Sequence, residues 1–332
     1  MRRTIHKSLI TSALTQINVR YHCVLAILTF TLSLLITSCT HKDLCYDHSH
    51  VVDVNVEFVW SKAPVTTPAS MSVYLFSTKS NRSLRFEFTD PKGGRIRLEA
   101  GTYRAICLNS DTRYLSIKNR DDFGSFCITS KEATSMYGLS TYGITPSNIP
   151  KGSVNERALI SPELTYTHSI AEITLNESNS TIVFHPECVT RNYTVEIRNV
   201  PNLKWVYGVS GTISSMAEGI YPSTFALSET CATIPFECYM DKDNGIIHGT
   251  FTSFGHCPTI QQKHELIIYA VLADDSKWYY QYDVTDQIHN AEDPFETYIL
   301  LDELPIPKPV ANGGGFKPTV GEWNSVEIVI PM

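Results

Sequence analysis

Two cysteines and three histidines crowd one short segment: Cys39, His41, Cys45, His48 and His50. Thiolate sulfur and imidazole nitrogen are zinc ligands, and a zinc site in a loop needs two closely spaced pairs of them. Cys45 and His48 supply one pair, and no second pair stands nearby. No metal ligand is assigned here; His41, Cys45, His48 and His50 read as parts of a polar tether. A second candidate is Asp241-Lys242-Asp243-Asn244-Gly245. A calcium loop counted from Asp241 needs glycine sixth and glutamate twelfth, and those positions hold Ile246 and Thr252. Asn244-Gly245 is instead a strong hairpin-turn signal. Cys257 with His256 or His264 has the residue types of a thiol nucleophile and its base. Nothing in the local sequence would activate that thiol, and a turn between strands is the better reading. Gly313-Gly314-Gly315 sits in flexible-loop composition. Scattered carboxylates suggest no particular pair for glycoside hydrolysis. The chain has no G-x-S-x-G elbow, P-loop, dinucleotide fingerprint or H-E-x-x-H motif. No catalytic residue, cofactor-binding residue or cofactor is therefore assigned, and the chain is not expected to be an enzyme.

What precedes Cys39 gives that cysteine a different chemistry. Residues 1–38 hold Arg2, Arg3, Lys7 and Arg20 and no acidic residue. Residues 24–36, VLAILTFTLSLLI, are apolar apart from threonine and serine. A membrane span needs about 20 apolar residues, so this run is short for one. A basic start, a short apolar core and small residues make an export signal. Ile36-Thr37-Ser38-Cys39 resembles the bacterial lipobox, in which the cysteine thiol is acylated and the chain is cut just before it. Residues 1–38 are thus expected to be a lipoprotein signal peptide, Cys39 the lipidation site, and 39–50 the tether. The long basic segment leaves room for translation to begin later, near Arg20. One acyl chain binds a bilayer marginally, and each buried methylene adds about 0.8 kcal/mol. A cysteine carrying several palmitate-length chains is held permanently. The expected location is the outer membrane, lipid-anchored, facing the periplasm or the cell surface.

Removing residues 1–38 takes away four cations and no anions, which moves the net charge from −7 to −11. That acidity argues against nucleic acid or an anionic membrane surface as partners. The remaining length suits two domains. Seven cysteines are left once Cys23 and Cys39 are set aside, an odd number, in a chain large enough to build its cores without bridges. Zero to two disulfides are expected.

The body of the chain has the period of strands. VVDVNVEFVW places Val52, Val54, Val56, Phe58 and Trp60 on one face and Asp53, Asn55 and Glu57 on the other. Ile96 and Leu98 alternate with Arg95, Arg97 and Glu99, and Tyr193, Val195 and Ile197 alternate with Thr194, Glu196 and Arg198. Residues 266–272 are apolar throughout, as in a central strand covered on both faces. In Trp278-Tyr279-Tyr280-Gln281-Tyr282, alternation sets Trp278, Tyr280 and Tyr282 on one face. Exposed, they would suit stacking on sugar rings; buried, they are core, and the apolar neighbour 266–272 favours core. No segment sustains a helical period. Short strands separated by frequent turns predict an all-β chain of two β-sandwich domains in tandem, 51–155 and 158–332.

Longer stretches carry a resemblance. The lipobox followed by His41-Lys42-Asp43-Leu44-Cys45-Tyr46-Asp47-His48 resembles the start of an uncharacterised family of Bacteroidota lipoproteins. RLEAGTYRAICLNSD, TFTSFG and Tyr282-Asp283-Val284-Thr285-Asp286-Gln287 leading to Leu304-Pro305-Ile306-Pro307 are similar to that family too. The family resembles a branch of the fimbrillin and minor fimbrial anchor superfamily. The resemblance implies two transthyretin-like sandwiches and a retained lipid. It also implies a role as an anchor or accessory component of a fimbria-like assembly, involved in adhesion, whose subunits bind by strand addition. No processing arginine stands near Val51, which sets this chain apart from polymerising fimbrillins. The alternative is a surface lipoprotein that binds a glycan or host molecule alone.

Overall fold

The computed structural model describes residues 50–62, 67–153, 155–258, 263–309 and 323–327. Cys39, its lipobox, the tether up to residue 49 and the glycines at 313–315 lie outside the described residues. The regular structure among the described residues is almost entirely strand.

The chain starts with β1 (Val51–Phe58), in which Val52, Val54, Val56 and Phe58 are buried and Asp53 and Glu57 are exposed. Its alternation is the one the sequence predicts, with Trp60 packed beside the same core. Then come β2 (Met71–Ser77), β3 (Ser83–Phe88), β4 (Gly93–Glu99) and β5 (Gly101–Asn109). Ile96 and Leu98 point inward from β4 while Arg95, Arg97 and Glu99 face water. The looser stretch that follows holds β6 (Leu115–Lys118), β7 (Cys127–Ser130) and β8 (Arg157–Ala158). After it come β9 (Tyr166–Leu175), β10 (Thr181–Phe184) and β11 (Glu187–Cys188).

Two sheets, β10-β1-β4 and β11-β9-β5-β2-β3, enclose the first core. Val54, Leu98 and Phe184 from one sheet meet Val73, Ala105 and Leu175 from the other. The sheets do not respect the division expected at 155–158. Strand β9 pairs with β5 (Cys107 opposite His168), and β10 lies parallel to β1 (Val56 opposite Ile182). Without Leu175, Ile182 and Phe184 that core would be open on one side, so strands from beyond residue 158 complete it.

The rest of the chain forms β12 (Arg191–Arg198), β13 (Val206–Ala217), β14 (Gly219–Tyr221), β15 (Ala226–Leu227), β16 (Cys231–Asp241) and β17 (Ile246–Ser253). These are followed by β18 (Glu265–Leu272), β19 (Lys277–Asp283), the short helix α1 (Thr285–His289), β20 (Glu296–Asp302) and β21 (Trp323–Glu327). A nine-stranded sheet runs β20-β12-β17-β16-β13-β18-β19-β21, with β8 beside β16. Strand β16 is its corner. Residues 231–237 pair with β13 and residues 238–241 with β17, so the sheet folds over its own core of Val195, Ile197, Ile234, Phe236, Ile268 and Leu301. A smaller sheet, β15-β14-β7-β6, ties the looser stretch to the second half.

Strand β18 is covered on both faces, as its unbroken apolar run predicts. Leu266, Ile268, Ala270 and Leu272 enter the main core, while Ile267, Tyr269 and Val271 pack on Met136, Leu139 and Ile144. Asn244-Gly245 closes the β16–β17 hairpin, where Gly245 takes a φ of 68° that other side chains resist. Among the described residues, the disulfide Cys231–Cys257 joins β16 to the loop after β17.

Candidate functional site

Most of the residues that promised chemistry prove structural. Cys257 is tied up in its disulfide and has no thiol to activate. Asp241 accepts from the backbone N–H of Asn244 at 3.1 Å and from its side-chain amide at 2.8 Å, so this carboxylate caps the turn. Tyr280 and Tyr282 are 0% and 1% exposed, and their hydroxyls donate to the carbonyls of Pro305 and Glu303. Burial pushes both phenols far above their ordinary pKa. Trp278, half-buried, packs on the same core. The alternation was read correctly, and the aromatic face is interior.

The two ends of the nine-stranded sheet are where backbone groups are available to a partner. At one end, β21 lies parallel to β19 from Lys277 opposite Trp323 to Gln281 opposite Glu327. The Asn324 side chain donates to the Lys277 carbonyl at 3.1 Å, and the Trp323 ring stands 5.3 Å from that of Tyr269. At the other end, α1 guards β20. The Gln287 side chain accepts from the Leu300 N–H at 2.8 Å and donates to the Leu300 carbonyl at 3.1 Å, the two bonds a neighbouring strand would make. Near the start of β20, a cleft of about 190 Å³ opens where β11, β15 and β20 end their sheets. Phe254 and Ile220 line it, Phe225 and Phe295 stand 41% and 50% exposed at it, and the Arg191 guanidinium lies 5.8 Å over the Phe295 ring.

Three histidines cluster where α1 meets the bulge in β13. A bulge interrupts β13 between Ile213 and Met216, where Ser215 takes a φ of 61° and its N–H donates to the buried Glu156 carboxylate. The bulge takes the Ser214 carbonyl out of the ladder, and His264 Nδ1 donates to it at 3.1 Å. Because a carbonyl only accepts, His264 Nε2 carries the lone pair, and it faces His289 Nε2 at 3.1 Å. The His256 ring lies 4.8 Å from His289 and 5.7 Å from His264. Burial, with His289 and His256 adding to it, pushes the His264 pKa from 6.5 down to about 4. His256 is lowered as well, first by burial, then by His289 and Arg191. Sequence reading weighed His256 and His264 only as bases for Cys257 and missed His289. Spacings of 8 and 25 residues resemble no motif; only the bulge brings the three together.

Among the described residues, no group of three histidine, cysteine, aspartate or glutamate side chains is arranged to hold a metal ion. No described helix is long and apolar enough to cross a membrane.

Residues 38–237 match the model of a family described as domain of unknown function DUF5119. No curated protein matches the sequence. Among solved structures, a candidate adhesin from Bacteroides ovatus ATCC 8483 is similar at a TM-score of 0.57 and 17% identity, over 82% of this chain and 99% of its own. A candidate polysaccharide-binding protein from Bacteroides thetaiotaomicron follows at a TM-score of 0.49 and 10% identity, over 75% and 90%. The fimbrial anchor protein Mfa2 from Porphyromonas gingivalis has a TM-score of 0.45 and 14% identity, over 75% and 90%. The first of these likenesses establishes a shared fold.

Proposed function

The chain belongs to the DUF5119 family, and from that premise we propose that it is a lipid-anchored, non-enzymatic surface protein serving a fimbria-like or adhesive assembly. Cys39 carries the lipid and holds the protein on the outer membrane; residues 39–50 lift the body from it. Two β-sandwich domains of transthyretin-like type follow in tandem, each around one of the two main cores. The fold shared with the candidate adhesin supports the role, and the Cys231–Cys257 disulfide fits an exported protein.

The observation that carries the partner reading is the β19–β21 pairing. A strand from the end of the described chain completes the sheet, which makes the β19 edge a strand-accepting surface. A subunit's strand takes that place by main-chain hydrogen bonds, with side chains between Tyr269 and Tyr279 setting specificity. The glycan reading loses its platform, because Tyr280 and Tyr282 face the core.

The test is a chain ending at residue 322 together with a synthetic peptide of residues 323–332. The shortened protein should stay folded, bind the peptide one to one and self-associate without it. A folded, monomeric product that ignores the peptide overturns the strand-accepting edge.

A further inference from the structure

We propose that His256, His264 and His289 form a proton-operated clasp that keeps α1, and with it Gln287, over the outer edge of β20, and that opens when His264 takes a proton. The inference rests on the strand-addition reading for its purpose but not for its chemistry.

The clasp works through the one hydrogen-bond arrangement the three rings allow. His264 is fully buried; its Nδ1–H is committed to the Ser214 carbonyl, and its Nε2 accepts from His289. Protonating the exposed His289 leaves that donor in place. A proton on His264 Nε2 removes the acceptor on which the His289 N–H rests and puts a charge on a fully buried ring; the pair then holds together only where His289 gives up its own Nε2 proton. The surroundings give little relief. Asp283 at the end of β19 is the acidic group that favours a charged His264, and it is already shared with Lys263 at 3.3 Å and with Thr285. His289 from α1 and His256 from the loop after β17 disfavour a charge on His264, and Arg191 from β12 disfavours one on His256. Glu156, across the β13 bulge, is spent on Ser215 and Thr233.

The consequence falls on β20. The short helix α1 makes few bonds of its own, and Gln287 is its tie to Leu300. When the His264–His289 bond breaks, α1 keeps its N-terminal ties to residue 264, through Val284 and Thr285, and the packing of Ile288, but loses the side-chain bond that fixes its C-terminal end. The Leu300 N–H and carbonyl then lose their side-chain cover, and β20 becomes an open edge beside the Phe295 cleft. Acid thus exposes a second strand-accepting edge that neutral solution keeps closed.

Amide hydrogen exchange at Leu300, Ile288 and Asn290, corrected for intrinsic rates, tests the clasp in the protein from pH 7 to pH 5. A single proton taken up on opening raises the opening constant about tenfold per pH unit between pH 6 and pH 5. His264→Gln, which keeps a donor and an acceptor without a titrating group, should rise less than twofold. The wild-type His264 ring, followed by nuclear magnetic resonance, should titrate over the same interval in which Leu300 loses protection; this arm needs no variant. Equal pH dependence in both proteins, or a His264 ring that titrates apart from Leu300 exchange, overturns the clasp. Zinc at pH 7 that slows Leu300 exchange, reversed by a chelator, would overturn the proton in favour of an ion. Whether the opened edge then captures a strand is a separate measurement that bears on the strand-addition reading alone.

Discussion

Gly211 of β13 lies flat against the ring of Phe236, its cross-strand partner on β16, so closely that a Cβ there would overlap three ring atoms. Gly249 of β17 meets the same ring from the other side, where a Cβ would stand 2.6 Å from Cε2. Phe236 therefore fills the corner at which β16 leaves one half of the folded sheet for the other. Gly211→Ala should destabilise by about 1–3 kcal/mol through overpacking. Phe236→Ala should cost about 3–5 kcal/mol. Urea unfolding followed by circular dichroism measures both; a neutral Gly211→Ala would mean that the corner is not tightly packed.

The aromatic run separates core from periphery. Tyr282→Ala should cost about 3–5 kcal/mol, since a fully buried ring is lost together with the bond to the Glu303 carbonyl. Trp278→Ala should cost less, because that ring is only half-buried. Thermal melts of the two variants decide the order, and a larger loss at Trp278 would contradict the placement of Tyr282.

Strands with a strict period were legible in the sequence. β1, β4 and β12 alternate because one face is core and the other water, and β18 is apolar on both faces because it has core on both. Asn244-Gly245 announced its hairpin through backbone chemistry alone. The partners of β9 and β10 were not legible, since which sheet a strand joins depends on a core assembled from residues far away in sequence. Leu175 and Phe184 look alike whether they close the first core or open a second. The histidine cluster was hidden for the same reason: the β13 bulge that gathers it is an irregularity that two serines, Ser214 and Ser215, do not advertise.

The disulfide should contribute measurably. Cys231 and Cys257 are 26 residues apart, and a loop of that length constrains the unfolded chain by roughly 2–4 kcal/mol. Reduction, or Cys231→Ala, should lower the urea midpoint accordingly. An unchanged midpoint after verified reduction would show that the bridge is idle in the native state.

Acid should destabilise the first core as well. His168 Nδ1 is buried without a hydrogen-bond partner, and burial, followed by the neighbouring His185, holds its pKa below 6.5. The unfolded chain, whose imidazole titrates near 6.5, binds more protons than the native state at pH values between the two pKa values. The contribution of His168 is therefore complete above that unfolded value and is lost as the pH falls through it toward the native one. His168→Gln should flatten the urea midpoint between pH 7.5 and pH 5.5 relative to wild type, and an unaltered slope would contradict this.

The central claim is an anchored surface protein, and metabolic labelling tests it most directly. Cells expressing the full chain are grown with radiolabelled palmitate, and wild type is compared with Cys39→Ala. The wild-type chain should carry label and sediment with the outer membrane, while the Cys39→Ala chain should be unlabelled and leave it. Label and membrane association that persist in Cys39→Ala would contradict the anchor and the function built on it.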